Sequence, residues 1–137
     1  MAFEGPFEDR LAIHELVRAY ADAVTCRDAE AWGALWAEDG VWCLPVSSQT
    51  ARVEGRVAIV AAWTGAMANF PNLVAISCLG AVTIDGDRAT GRAYPREMVI
   101  REDGTVRHDT GLYEDEYVKR DGRWLFLQRS YRPLHSA

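Results

Sequence analysis

The 137-residue sequence lacks several features that mark whole classes of protein. Its three cysteines are odd in number and far apart, which fits neither a disulfide framework nor the close cysteine pairs of a zinc site. Its three histidines are equally scattered, so we predict no metal site. No glycine-rich phosphate-binding motif is present, and we therefore expect no nucleotide or other cofactor.

Long apolar runs and clustered basic charge are also missing. No run approaches the ~18 apolar residues of a membrane span, and the first nine residues lack the basic flank and apolar core of a signal peptide. The net charge of −5 comes without a basic stripe, so binding to a phosphate backbone is not expected. We expect a cytoplasmic protein that binds neither nucleic acid nor membrane.

The sequence does contain enough apolar residues, 49%, to form one compact domain over residues 1–137. Three Asp-Gly pairs, at 85–86, 103–104 and 121–122, separate long β-rich runs. Asp-Gly is typical of hairpin turns because type I′ geometry needs positive φ. The pattern predicts four consecutive antiparallel strands, at 73–84, 88–101, 105–119 and 123–132.

The first half of the sequence predicts helices. Apolar residues at helical spacing predict an amphipathic helix of about 15 residues from Glu8 or Asp9 onward. A second helix is predicted from Asp28 through Trp36, followed by a short strand at 41–44 and a mobile loop at 45–54. A third is predicted over 55–70, and its expected inward stripe consists of Val57, Val60, Ala61, Thr64 and Met67.

Helices followed by a four-stranded meander predict an α+β fold. We expect a cone-shaped α+β barrel, in which three N-terminal helices pack on a strongly curved antiparallel sheet. Such a sheet leaves a conical cavity at one end, where small molecules commonly bind.

Five short segments accompany these elements and cover nearly the whole chain. They are DRLAI at 9–13, LWAEDGVW at 35–42, IDGDRA at 84–89, GLY at 111–113 and DGRW at 121–124. In their order and spacing they resemble the SnoaL-like branch of the nuclear-transport-factor-two-like superfamily, which includes scytalone dehydratase, ketosteroid isomerase and polyketide cyclases.

Many enzymes of this superfamily place an acid–base Asp just after the first helix and a His on the first long strand. Here Thr25 matches the usual Asp and Ala75 the usual His. Neither side chain abstracts a proton at neutral pH, so the familiar pair is not carried over. Both positions are still expected to contact substrate.

Other residues are therefore candidates for the chemistry. Alternation along the strand 105–119 predicts that Asp109, Gly111 and Tyr113 share one face and that His108 points away unless a bulge intervenes. Resemblance to the dehydratases suggests that the Gly111 and Tyr113 face lines the pocket. Asp109 is a candidate acid or base, or else the partner of an arginine on a neighbouring strand; His108 is a candidate for proton transfer, or a surface histidine.

Further candidates lie on other elements. Tyr20 on the first helix is predicted to donate a hydrogen bond to an oxyanion or to pack in the core, and Glu97 to point inward among small residues, either paired or functional. An apolar wall suited to a flat ligand is predicted from Trp42, Trp63, Met67 and Phe70, for which plain core packing is the alternative.

These features favour a cofactor-independent lyase or isomerase, similar to the dehydratases, that acts by general acid–base catalysis on a small hydrophobic, aromatic or polycyclic substrate. One alternative is a non-catalytic ligand-binding or partner module. Another is an epoxide-hydrolase-like enzyme using Asp109, Arg107 and Asp115. We expect a homodimer, with a trimer as the other possibility.

The expected contact face for self-association is apolar. It consists of Tyr117, Leu125, Leu127 and Tyr131.

Overall fold

The computed structural model of the chain describes residues 2–46 and 49–137. Within these ranges the chain forms three helices and seven strands. The helices are α1 (Phe7–Cys26), α2 (Ala29–Ala34) and α3 (Arg56–Met67). The strands are β1 (Phe3–Glu4), β2 (Trp36–Val46), β3 (Gln49–Glu54), β4 (Leu73–Asp85), β5 (Arg88–Ile100), β6 (Val106–Arg120) and β7 (Arg123–Ser136).

The strands form one open, mixed sheet in the order β1-β4-β5-β6-β7-β2-β3. The meander β4 to β7 is antiparallel throughout, whereas β1 pairs with β4 and β2 pairs with β7 in parallel. The predicted α+β class, with helices packed on a long-stranded meander, is confirmed. Beyond the predicted meander, three N-terminal strands extend the sheet at its two edges, which makes the sheet mixed, and the sheet does not close.

The Asp-Gly pairs turn the chain where the sequence predicts. Asp121 and Gly122 have φ of 51° and 75°, which is the double positive φ of a two-residue type I′ turn between β6 and β7. Three of the four predicted strands match to within one residue at each end. The fourth, β7, runs four residues beyond the predicted end, to Ser136.

The helices differ more from prediction. Helix α1 is longer than expected, at 20 residues, and buries the predicted apolar positions. Helix α2 has only six residues, capped by Asp28, whose carboxylate accepts from the Ala31 amide at 3.0 Å. The predicted continuation to Trp36 is wrong because Trp36 begins β2 and pairs with Phe126. No helix in the described ranges has the length and apolarity of a membrane span.

Two further expectations between β2 and β4 are wrong. Most of the predicted loop at 45–54 is the hairpin partner of β2, since β3 pairs with it in register; Ser47 and Ser48 lie outside the described residues. Of the stripe predicted for α3, Met67 is buried as expected, but Val57 is 85% exposed, and Ile59 and Trp63 are the other residues that the helix buries. The buried stripe follows the bulkiest side chains at i, i+4 spacing.

The four residues expected to form an apolar face for self-association do not lie together on the surface. Tyr117 is fully buried in the core, and Tyr131 is half-buried on the same side of the sheet as the helices. Leu125 lies on the other side, packed with Ala37 and Val118. These residues therefore do not form one accessible patch, and self-association stays a prediction.

Thr25, in the last turn of α1, ties the helix to the open edge of β4. Its Oγ1 accepts from the Ala75 amide at 2.9 Å and donates to the Ala75 carbonyl at 3.1 Å. Strand β1 covers β4 only at Val82 and Thr83, so Thr25 takes the place of a neighbouring strand near Ala75. This satisfies backbone groups that a sheet edge otherwise leaves unpaired.

Replacing Thr25 with Val is expected to lower the free energy of unfolding by about 1–2 kcal/mol, because both hydrogen bonds are lost at constant shape. Urea denaturation measures the change. Thr25→Ser, which keeps the hydroxyl, serves as the matched control and is expected to lose much less. Equal losses in the two variants would contradict this role for the hydroxyl.

At the other end of α1, Asp9 joins the helix to the last hairpin. Its Oδ1 accepts from Trp124 Nε1 at 2.9 Å and from Lys119 Nζ at 3.1 Å. These hydrogen bonds, first that of Trp124, hold the pKa of the Asp9 carboxyl below its ordinary value of 3.8. A carboxyl with a lowered pKa stabilises the fold above that ordinary value and stops doing so as pH falls through the lowered one.

Asp9→Asn is accordingly expected to destabilise the protein at neutral pH, with a difference from the wild type that shrinks as the pH falls below about 4. Unfolding free energies measured by urea denaturation along a pH series check this. Glu15→Gln, an exposed change on the same helix, is the control. A difference that stays constant down to acid pH would rule out the proposed contribution of the Asp9 charge.

Candidate functional site

A cavity of about 250 Å³ lies between α1, α3 and the inward face of the meander. Its wall is mostly apolar and aromatic, with a small polar region on β5 and β6. The lining residues are Tyr20, Val24, Trp42, Leu44, Trp63, Ala66, Met67, Phe70, Leu73, Glu97, Val99, Arg107, Asp109, Tyr113 and Tyr131.

The aromatic wall contains the four residues predicted for it, Trp42, Trp63, Met67 and Phe70. Trp63 stacks on Trp32 at a ring-centroid distance of 4.6 Å and an interplanar angle of 12°. The same side chains are thus both core and cavity wall. Their rigid packing gives the cavity a fixed apolar surface.

The polar region centres on two carboxylates from neighbouring strands. Glu97 on β5 lies directly opposite Asp109 on β6 in the sheet register. Burial raises the pKa of the Glu97 carboxyl, and the charge of Asp109 raises it further, while Arg107 acts in the opposite direction. Glu97 therefore exchanges a proton closer to neutral pH than an ordinary glutamate does.

Asp109 is held in a different way. Arg107 donates to it through Nε, at 3.1 and 3.2 Å, and through Nη2, at 3.0 Å. Ser136 Oγ donates to Asp109 Oδ1 at 2.6 Å. The arginine partner comes from the same strand rather than the neighbouring strand named as the alternative. Asp109 thus lines the cavity as a carboxylate that is already paired with Arg107 and hydrogen-bonded by Ser136.

Two tyrosine hydroxyls meet in the cavity wall. Tyr20 from α1 and Tyr113 from β6 lie with their hydroxyl oxygens 3.4 Å apart, and either oxygen can donate. Burial raises the pKa of both phenols, so both stay protonated at neutral pH. Two protons and one mutual hydrogen bond leave one proton available to an acceptor in the cavity.

Beneath these tyrosines lies a fully buried ion pair. Arg129 on β7 donates to both oxygens of Asp115 on β6, through Nε at 2.8 Å and Nη2 at 3.0 Å. The hydroxyl of Tyr117 donates to Asp115 Oδ2 at 2.8 Å. Burial raises the pKa of the Asp115 carboxyl, against the effect of Arg129. For Arg129, burial acts to lower the pKa, but the combined effects of Asp115, Tyr113 and Tyr20 keep that pKa above the ordinary value.

The Arg129 guanidinium is also enclosed by aromatic rings. Its Cζ lies 3.7 Å from the ring centroid of Tyr113, 4.2 Å from that of Phe126 and 4.4 Å from that of Tyr20. The aromatic π faces attract the cation in place of water. The pair thereby orients the tyrosine rings whose hydroxyls reach the cavity.

Arg129→Met is expected to cost about 3–5 kcal/mol of unfolding free energy, because it leaves the Asp115 carboxylate buried without its cation. Removing both charges with Asp115→Leu and Arg129→Met together is expected to cost less than the single change. Urea denaturation of the two variants gives the comparison. A double variant less stable than Arg129→Met would show that the unpaired Asp115 carboxylate is not what destabilises the single variant.

Three predicted site residues lie outside the cavity lining. His108 is exposed on the opposite face of the sheet, in the direction that strand alternation indicates. Thr25 and Ala75, predicted to contact substrate, instead bond to each other at the edge of the sheet. The remaining predicted residues all line the cavity. The catalytic roles stay predictions.

The Asp–Arg–Asp group named for the epoxide-hydrolase alternative is not assembled. Arg107 and Asp109 pair beside the cavity, whereas Asp115 is sealed in the core against Arg129. Among the described residues, no cluster of three or more His, Cys, Asp or Glu side chains could hold a metal ion.

Sequence reasoning missed Arg129 as the partner of Asp115, and Tyr131 as a cavity residue. Both lie beyond an irregularity in β7, where the register changes between the pairs Tyr117–Phe126 and Glu116–Gln128. The extra residue there reverses the inward parity of β7. Simple alternation from the Asp121-Gly122 turn places Arg129 and Tyr131 on the outer face.

The sequence model of the SnoaL-like domain family matches residues 6–130 of this chain. The chain belongs to the SnoaL-like domain family. No curated protein is significantly similar to this SnoaL-like chain in sequence.

Several solved structures share its fold. A candidate aromatic-ring hydroxylase from Novosphingobium aromaticivorans is 28% identical, with a TM-score of 0.79 and coverage of 98% of this chain and 95% of the other. A candidate scytalone dehydratase from the same organism is 21% identical, with a TM-score of 0.78 and coverage of 95% and 87%. A hexachlorocyclohexane dehydrochlorinase from Novosphingobium barchaimii is 18% identical, with a TM-score of 0.76 and coverage of 95% and 89%.

Proposed function

We propose that this SnoaL-like protein is a cofactor-independent lyase or isomerase that moves protons on a small hydrophobic substrate, with Glu97 as the acid–base residue. The observation that carries the proposal is the placement of Glu97. It is a carboxyl of raised pKa that lies beside an ion-paired carboxylate in an aromatic cavity. Acid–base residues work best when their pKa lies near the operating pH.

Glu97 is preferred to Asp109 because of how each carboxyl is engaged. The Asp109 carboxylate already accepts hydrogen bonds from Arg107 and Ser136, so its oxygens are occupied by donors within the protein. For Glu97, no side-chain hydrogen bond is found among the described residues. Asp109 instead contributes its negative charge, which makes the Glu97 carboxylate a stronger base.

The proposed step begins with proton removal from a carbon next to a carbonyl group. The Glu97 carboxylate takes the proton, the C–H electron pair forms a C=C bond, and the carbonyl π pair moves to oxygen. The free hydroxyl proton of the Tyr20 and Tyr113 pair stabilises the resulting oxyanion. The oxyanion electron pair then re-forms the carbonyl. In a β,γ-unsaturated ketone the electrons shift along the double bonds and the γ carbon takes the proton from Glu97, as in an isomerase. In a β-hydroxy ketone the Cβ–O bond breaks and Glu97 gives its proton to the departing hydroxide, as in a dehydratase.

The size and lining of the cavity support a compact, apolar substrate. A cavity of about 150 Å³ accommodates benzene, so the 250 Å³ here suits roughly one or two rings. A larger polycyclic molecule fits less well. Two solved structures of the same fold are a candidate dehydratase and a dehydrochlorinase, which is consistent with elimination chemistry.

Glu97→Gln is expected to slow solvent-deuterium exchange at the carbon next to the carbonyl of 1-tetralone, a bicyclic probe, by at least about 100-fold. The amide has the shape of the carboxyl but accepts no proton. Mass spectrometry of the probe in D₂O measures the rate. Exchange by Glu97→Gln at the wild-type rate, in a normally folded protein, would refute the assignment.

Two comparison variants sharpen this experiment. His108→Ala, on the exposed outer face, is expected to exchange at the wild-type rate, and a large loss would restore the sequence prediction for that histidine. Asp109→Asn is expected to retain exchange. If Asp109→Asn loses deuterium exchange while Glu97→Gln retains it, Asp109 rather than Glu97 is the acid–base residue.

The rate of exchange is expected to rise with pH through the raised pKa of Glu97, since only the carboxylate accepts a proton. In Asp109→Asn the inflection is expected at lower pH, because the neighbouring negative charge is gone while Arg107 remains. A pH–rate profile of both proteins at saturating probe measures the shift. An inflection at the same pH in both proteins would show that the charge of Asp109 does not raise the pKa of the catalytic base.

A second candidate is a non-catalytic binding module. The observation that favours it is the hydrogen bonding of Thr25 with Ala75 at the positions where resembling enzymes carry their acid–base pair. Binding of 1-tetralone without any exchange above the background rate would support this function over the enzyme.

A further inference from the structure

Tyr131 is a third phenol in the cavity, beside the polar region rather than within the Tyr20 and Tyr113 pair. Its ring centroid lies 5.2 Å from that of Tyr113, and its side chain lines the cavity together with Glu97 and Asp109. Burial raises the pKa of Tyr131 to about 12, and the two carboxylates contribute. The hydroxyl therefore stays protonated, and no hydrogen bond from it is found among the described residues.

The position of this ring depends on Gly111. A Cβ atom at residue 111 would lie 2.2 Å from Tyr131 Cε2 and 2.6 Å from its hydroxyl oxygen, far inside van der Waals contact. The backbone of Gly111 is not in the positive-φ region, so its conformation does not require glycine. The glycine is needed for the close approach of the ring.

The register of β7 brings the ring to this place. Pairing with β6 shifts between Thr110 and Gly111, and again between Glu116 and Tyr117. Tyr131 lies between these two irregularities, opposite Tyr113. The first irregularity along β7 turns both Arg129 and Tyr131 inward, and bulges commonly redirect a side chain beside a functional site.

We propose that Tyr131 is a substrate-binding residue that donates a hydrogen bond to a neutral oxygen of the ligand, and that Gly111 is the positioning residue that admits its ring. This proposal rests on the proposed function and narrows it to a substrate class. The ligand is a neutral ketone or alcohol of one or two rings. An anionic acid is disfavoured, because Glu97 and Asp109 lie on the same side of the cavity.

The test compares the binding of 1-tetralone with that of tetralin, which has the same two rings without the oxygen. Calorimetry measures the two affinities, and their ratio isolates the recognition of the oxygen from the burial of the rings. Tyr131→Phe is expected to lower this ratio by about 3- to 10-fold, the size of one hydrogen bond. Its affinity for tetralin is expected to stay the same.

Tyr94→Phe makes the same chemical change on the outer face of the sheet, where Tyr94 is exposed, and is expected to leave the ratio unchanged. An unchanged ratio in Tyr131→Phe would overturn the proposal. Because binding is read without turnover, this outcome is distinct from failure of the acid–base role. That failure would appear as normal binding with exchange unaffected by Glu97→Gln.

The role of Gly111 is tested through coupling. Gly111→Ala is expected to lower the ratio as far as Tyr131→Phe does, because the displaced ring no longer presents its hydroxyl. Adding Tyr131→Phe to Gly111→Ala is then expected to lower the ratio no further. Independent, multiplicative effects of the two changes would overturn the positioning role of Gly111. If Gly111→Ala does not fold, the result for Tyr131→Phe alone still decides the binding role.

Discussion

The buried contact between Arg129 and Asp115 is the constraint on which the rest of the structure depends. Two charges without solvent access are costly unless their hydrogen bonds are satisfied. Here Asp115 accepts from Arg129 Nε and Nη2 and from the hydroxyl of Tyr117, whereas Arg129 Nη1 has no hydrogen-bond partner among the described residues and the guanidinium lies against aromatic rings. The strands β6 and β7 cannot slide past each other without breaking this arrangement, so it sets their register at the centre of the sheet.

The same contact determines what the cavity can present. The guanidinium lies against the rings of Tyr20 and Tyr113, and so connects α1 to the two central strands. The inward face of β6 thus carries two ion-paired carboxylates. Asp115 is fully buried and paired with Arg129, and Asp109 is paired with Arg107. Among the three inward carboxylates, Glu97 is the one whose charge is not matched by a bonded cation in the described residues. The pairing of the other two carboxylates is the reason that the proposed acid–base role is assigned to Glu97.

The sequence predicted those features that depend on interactions between residues close together in the chain. The Asp-Gly turns predicted the meander, and alternation placed Tyr113 and Asp109 together, because turn geometry and strand pleating act over a few residues. The helix predicted through Trp36 failed for the opposite reason. Trp32 and Trp36 have helical spacing, but Trp36 pairs with Phe126, ninety residues away, and that contact prevailed.

The candidate site follows the same division. Residues on β5 and β6 were predictable by parity, whereas Arg129 and Tyr131 on β7 were not, since one additional residue in the strand reverses every side chain beyond it. The hydroxyl of Thr25 shows another limit. The sequence shows that residue 25 is not the usual aspartate. It does not show that the hydroxyl bonds to the backbone of Ala75, because that contact depends on where β4 lies relative to α1.

The distribution of tryptophan has a practical consequence. Trp42 and Trp63 line the cavity and Trp32 and Trp36 pack around them, whereas Trp124 is bonded to Asp9 elsewhere in the molecule. The intrinsic fluorescence of the chain therefore comes largely from a single coupled group of indoles at the wall of the cavity. A ligand in the cavity would lie against Trp42 and Trp63, so a change in tryptophan fluorescence is expected to report its binding.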